Sequence, residues 1–182
     1  MSDMTTLANV KQYLGVTASD DDALLSRLIT AVSEGFESCL NRVISSAPYT
    51  EFRDGNGKGV MMFANMPATA VSSVKIDGLA IPAAPDFTGY GFRFDESLLM
   101  LNGAVFDKGR RNIEIAYTAG YVTTPKDLEQ ACIEVVALRF KERDRIGHQS
   151  KSIGGETVTF ITAEAPKSVL ATLGWYKKVV PL

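Results

Sequence analysis

The chain has 182 residues, 46% of them hydrophobic and 22% charged, with a formal net charge of −2. Those proportions describe an ordinary soluble globular domain, long enough to bury a core without staples. The slightly acidic balance excludes bulk charge as a basis for dedicated nucleic-acid binding, which runs on phosphate neutralisation by Lys and Arg, and leaves only a local basic patch open.

The opening MSDMTTLANV lacks the basic-then-apolar shape of a signal peptide, and no segment approaches the ~18 apolar residues of a membrane span. The expectation is cytosolic synthesis and no membrane partner. Leu7, Val10 and Leu14 follow helical spacing, and Gly15 supplies a stop. Ser19 and Asp22 have capping-box spacing, and Asp20 to Asp22 place negative charge at the start of the next helix. In that helix Leu24, Leu28, Val32, Phe36 and Leu40 recur every four residues, with Leu25, Ile29 and Val43 widening the stripe. Cys39 and Cys132 each lie on an apolar helix stripe and read as small buried hydrophobes in a reducing compartment.

From about Tyr49 to Thr118 the period changes to two. Tyr49 to Arg53, the turn Asp54-Gly55-Asn56-Gly57 and Val60 to Phe63 predict a hairpin. Further strands are expected at Val71 to Ile76, around Phe92 to Phe94, at Leu98 to Leu101 and at Ile113 to Tyr117. Turns fall at Asp77-Gly78, Asn102-Gly103 and Lys108-Gly109. The pattern describes a small antiparallel sheet inserted between helices.

Helix then returns, with Thr124 as N-cap, Pro125 at the first helical position, and a face of Leu128, Ala131, Cys132, Val135, Leu138 and Arg139 running to Ile146. Gly147 ends it. A Gly/Ser hinge leads to an alternating strand at 156–161, which either pairs with the inserted sheet or adds to the sheet of another subunit. Pro166 to Leu173 reads as one or two helical turns before a tail holding Trp175 and Tyr176. The expected class is α+β: a small bundle of two N-terminal helices and a long helix near 125–146, with an inserted antiparallel β subdomain and an extended C-terminal arm. Within a single domain of 1–182, residues 1–48 and 119–147 make the helical body, 49–118 the β subdomain and 148–182 the arm.

Catalytic constellations are sparse. His148 is the only histidine, and just past a helix end it reads as a solvated cap residue rather than a base. Asp54-Gly55-Asn56-Gly57-Lys58-Gly59 fails as a phosphate loop, because Gly59 follows Lys58 where Ser or Thr is needed. It fails as a calcium loop because Lys58 and Asn65 occupy ligand positions. Consecutive carboxylates at Asp20 to Asp22 point different ways, and the two thiols are too isolated for zinc. No catalytic, metal or cofactor residue is nominated, and no enzyme is expected. Lys141-Glu142-Arg143-Asp144-Arg145 reads as a solvated helix end; a nucleic-acid contact through Arg139, Lys141, Arg143 and Arg145 is opposed by the interleaved acids. Trp175 and Tyr176 are of the type that anchors interfaces, or they fold back on their own core.

Two blocks carry a family resemblance. LANVKQYLGV with SDDDALLSRLITAVSEGFESCLNR resembles the N-terminal signature of the head–tail connector (adaptor) proteins of long-tailed bacteriophages. IEIAYTAGYVTTPKDLEQACIEVVALRFKERDRIG followed by SIGGETVTF is similar to the same family, and the region 49 to 112 resembles its larger members with an inserted sheet. The resemblance implies a structural virion protein at the phage neck, forming a ring, commonly of twelve subunits, under the portal protein. It would extend the channel for passing duplex DNA and provide the platform for a stopper or tail-completion protein. It further implies that the arm clasps the portal or another subunit. The interface residues would be Arg143, Arg145, His148, Ile153, Gly154, Gly155, Val158, Phe160, Trp175 and Tyr176. Two rival readings are another neck protein (stopper or tail completion) and a DNA-binding accessory of packaging.

Overall fold

Leu7–Leu14 (α1) starts on Thr6, whose hydroxyl accepts from the Asn9 amide, and stops at Gly15 in the left-handed region, φ 69°. That is the stop the sequence predicts. The computed structural model describes residues 3–143, 150–153, 156–159 and 165–178, the two short middle stretches by their backbone alone.

Asp22–Leu40 (α2) begins on Asp21, which makes no side-chain cap. The capping box expected at Ser19 does not form. The carboxylates are used otherwise: Asp22 binds Lys11 of α1 at 2.7 Å, and Asp21 binds Arg143 at 2.9 Å. The buried stripe of α2 is Leu25, Ile29, Val32, Phe36 and Leu40, while Leu24 and Leu28 are only half-buried. Each such side chain is worth about 1.5–3 kcal/mol of burial. Cys39 is exposed, contrary to the expectation that both thiols are buried, while Cys132 is buried. At about 100° per residue Cys39 lies roughly 60° from Phe36, off the centre of the stripe.

Lys126–Glu142 (α3) starts one residue later than predicted, with Pro125 as its cap residue. It is buried nearly all round, at Leu128, Ala131, Cys132, Ile133, Val135, Val136 and Ala137. The reason is its position: α1, α2 and Lys167–Tyr176 (α4) all pack on it. Its predicted single face is therefore too narrow, while Arg139 is exposed. Residues 1–43 and 124–182 make one unit and 44–123 another.

The second unit has two antiparallel sheets rather than the single one expected. Its strands are Ala47–Gly55 (β1), Val60–Met62 (β2), Ala68–Ile76 (β3), Leu79–Ile81 (β4), Gly91–Phe94 (β5), Leu98–Asn102 (β6) and Gly109–Ala119 (β7). One sheet has the order β1-β7-β3-β4 and the other β2-β6-β5. The predicted β1–β2 hairpin is absent: β1 pairs with β7, Tyr49 opposite Tyr117, and β2 pairs with β6. The Gly-rich stretch carries the chain from one sheet to the other, held by Gly57 N to Phe106 O (2.7 Å) and Phe106 N to Lys58 O (2.9 Å). Gly55 is required there because a Cβ would stand 1.7 Å from the Asp107 carbonyl oxygen. Asp77-Gly78 does form a hairpin turn, with φ 51° and 81°, joining β3 to β4 as type I′ geometry demands.

The two sheets share one core, built from Met61, Phe63, Val74, Phe92, Leu99, Phe106, Ile113, Ile115 and Tyr117 among others. Tyr117 is its polar centre. Its ring lies 5.8 Å from Tyr49 and 4.7 Å from Phe63, and its hydroxyl donates to Glu51 while accepting from the Asn65 amide at 3.1 Å. Burial, reinforced by the Glu51 bond, pushes its phenol well above the ordinary range.

Ser150–Ile153 (β8) and Glu156–Thr159 (β9) pair antiparallel, Ile153 opposite Glu156. The strand expected at 156–161 thus finds a partner in the residues just before it, and among the described residues it is not part of the inserted sheets. The Gly/Ser hinge expected before that strand includes Ser150–Ile153, whose polar residues carry little strand signal.

Candidate interface on the C-terminal helix

α4 runs through Tyr176, longer than the one or two turns expected, and starts after Pro166. Val169 and Leu173 are its buried residues, set against α3 and α2. Two polar contacts fix its far end. The Tyr176 hydroxyl lies 2.9 and 2.8 Å from the two Asp127 carboxylate oxygens at the start of α3. The Lys178 amide donates to the Leu40 carbonyl at the end of α2, 3.0 Å away. An otherwise open helix-end acceptor is thereby satisfied.

The outward side of α4 carries Leu170, Ala171, Gly174 and Trp175, all exposed, with Trp175 79% accessible. A surface helix normally turns polar residues outward. This one is apolar on both sides, and a Cβ added at Gly174 would meet nothing within 4 Å. Two large exposed apolar side chains with small ones between them make an apolar patch of the kind found at interfaces. Leu170, Ala171 and Gly174 were not singled out from sequence. Their signal was present, because Val169-Leu170-Ala171-Thr172-Leu173-Gly174-Trp175 holds more apolar residues than one buried stripe needs.

The remaining predicted residues divide. Arg143 sits at the end of α3, pairs with Asp21 and lies 4.2 Å over the Phe140 ring, so it ties helices together. Ile153 and Val158 lie on the paired strands β8 and β9. Arg145, His148, Gly154, Gly155 and Phe160 lie outside the described residues. Among the described residues no group of three or more His, Cys, Asp or Glu is placed to hold a metal ion. The Asp54 and Asn56 oxygens, considered as calcium ligands, accept from the Arg111 and Lys58 amides. No helix among the described residues is long and apolar enough to cross a membrane.

The family described as head completion protein matches residues 3–179. The chain belongs to the head completion protein family. The resemblance to phage head–tail connectors drawn from the two sequence blocks is borne out, and the α+β class with it. The family is a structural one.

Among solved structures, this head completion protein resembles a chain in the virion of a native gene transfer agent (GTA) particle, with TM-score 0.59 and 18% identity. It also resembles chains in the neck of an empty GTA particle computed with C6 symmetry (TM-score 0.56, 19% identity) and of a native one computed with C12 symmetry (0.57, 17%). Each likeness covers 97% of this chain and 90% of the other. At these identities the likeness is one of fold. No curated protein matches the head completion protein in sequence.

Proposed function

We propose that this head completion protein acts in the neck of a tailed phage or phage-like particle. Copies form a ring beneath the portal protein, extend the channel for DNA and offer the platform for a stopper or tail. The observation that carries the reading is the fold shared over 97% of the chain with chains from particle necks computed with C6 and C12 symmetry. The protein is then a virion component, assembled in the host cytoplasm.

In this reading residues 1–48 and 119–147 are the ring body, 49–118 the inserted β subdomain and 148–182 the arm. The outward face of α4, centred on Trp175, is the arm's anchor on the portal or a neighbouring copy. Arg143, Arg145, His148, Ile153, Gly154, Gly155, Val158, Phe160 and Tyr176 are the further residues of this portal or subunit interface. Sedimentation velocity with the cognate portal ring tests the role. Co-sedimentation near one copy per portal subunit supports it, and no association in excess protein at low and moderate salt overturns it.

A further inference from the structure

Two loops that are far apart in sequence meet at one end of the β unit. Residues 54–59 follow β1, and 107–111 lead into β7. Gly55 stands opposite Gly109, and the Arg111 amide donates to Asp54 at 2.6 Å. A Cβ on Gly57 would lie 3.1 Å from the Lys108 side chain. Lys58, Lys108, Arg110 and Arg111 are thereby gathered on one exposed tip.

None of these four cations forms an ion pair among the described residues, whereas Lys11, Arg53, Lys75, Lys126 and Arg143 all do. Three acids share that end of the sheet. Asp54 is turned onto the Arg111 amide; Asp107 and Asp77 are exposed. Arg111 holds a left-handed φ of 50°, uncommon for a side chain of its size, and its guanidinium lies 5.7 Å over the exposed Phe52 ring. The two loops read Asp-Gly-Asn-Gly-Lys-Gly and Asp-Lys-Gly-Arg-Arg. They contain no large apolar side chain to anchor a protein partner. Small glycines and unpaired cations suit a hydrated polyanion, which is held by charge and leaves nothing buried.

We infer that this tip contacts the phosphate backbone of duplex DNA without reading its sequence. The inference rests on the proposed neck role for the source of the DNA, and the tip supplies weak, salt-sensitive contacts to it. The weakness is consistent with the net charge of −2 on the chain, which lets DNA slide.

The test is fluorescence anisotropy of the full chain with a labelled 30-base-pair duplex between 25 and 150 mM NaCl. Four phosphate contacts give a slope of log affinity against log salt of about −3.6, at about −0.9 per contact. Lys108→Ser with Arg110→Ser is expected to shrink the slope by about 1.8. Arg27→Ser with Arg139→Ser, both exposed on the helical unit, is expected to leave it unchanged. Absence of binding at 25 mM, a tip variant with the original slope, or loss confined to the helical-unit variant overturns the inference. So does a tip variant that loses a neck protein partner while keeping its DNA slope. Portal co-sedimentation is read separately: a protein that joins portals but ignores DNA sinks the tip alone. One that binds DNA through the tip but joins no portal sinks the connector role alone.

Discussion

Tyr117 donates its phenolic hydrogen to Glu51 inside the β unit, two residues along β1 from Tyr49, its own register partner. Glu51 in turn holds Arg53 at 3.1 Å, and the Arg53 guanidinium reaches the Met62 carbonyl of β2 at 3.3 Å. One hydroxyl thus organises a polar thread running from β7 through β1 to the second sheet.

Tyr117→Phe leaves Glu51 and the Asn65 amide without that partner. A buried group stripped of its hydrogen bond costs about 1–3 kcal/mol, so urea unfolding is expected to show a loss of that size. Glu51→Gln should cost less in the Tyr117→Phe background than alone. Equal costs in both backgrounds would mean the two groups are not coupled.

The thiols are predicted to differ in reactivity. Cys132 is fully buried, and loss of solvent pushes its thiol up to about 11 even though Ser33 lies 3.8 Å away; Cys39 is exposed. With an aromatic disulfide reagent at neutral pH, one thiol per chain should react quickly and the second only on unfolding. Cys39→Ser should abolish the fast phase; a fast phase that survives it would contradict the burial of Cys132.

Acid should weaken the helical unit through Glu129. Its carboxylate is held below the usual range chiefly by Lys126 at 2.7 Å, with Asn9 of α1 also donating at 2.7 Å. A depressed folded-state value adds stability above the unfolded value, about 4.3, and loses it as pH falls through the folded one. Glu129→Gln should therefore melt lower than the parent at pH 7, the two curves converging at lower pH. A gap that stays constant with pH would refute the charge as its cause.

Trp175 is the only tryptophan, so its emission reports α4 directly. Being 79% exposed, it is expected to emit at long wavelength and to be readily quenched by acrylamide in the single protein. Trp175→Ala should change stability by no more than about 0.5 kcal/mol. If α4 anchors a partner, the same change should weaken portal association by about 2 kcal/mol or more, and binding should shift the emission to shorter wavelength. Unaltered portal binding by Trp175→Ala would remove α4 from the interface.

What the sequence made legible follows from how local each signal is. Gly15 and Asp77-Gly78 did what their residue types predict, because a left-handed stop and a type I′ turn are decided within a few residues. Asp54-Gly55-Asn56-Gly57 has the same composition but a different outcome, since β1 takes β7 as its neighbour and only the folded chain brings the two together. The three-residue β4 and the polar β8 are too short or too hydrophilic to show a period of two. On the proposed interface, Trp175 stands out in the sequence beside Tyr176, whereas the apolar outward face it belongs to is visible only once Val169 and Leu173 are known to face inward. The cationic tip was hidden for the same reason as the β1–β7 pair: its halves come from opposite ends of the insertion.

The helical unit is split by that insertion, with α1 and α2 made before it and α3 and α4 after it. During synthesis the stripe of Leu25, Ile29, Val32, Phe36 and Leu40 has no central helix to cover it until the whole β unit has left the ribosome. At roughly 5–20 residues per second that interval lasts several seconds. The nascent chain thus carries a sticky, half-built bundle past every other protein it meets. Slow translation through the β unit should lengthen that exposure, and chaperone demand should track codon usage there rather than in the helices.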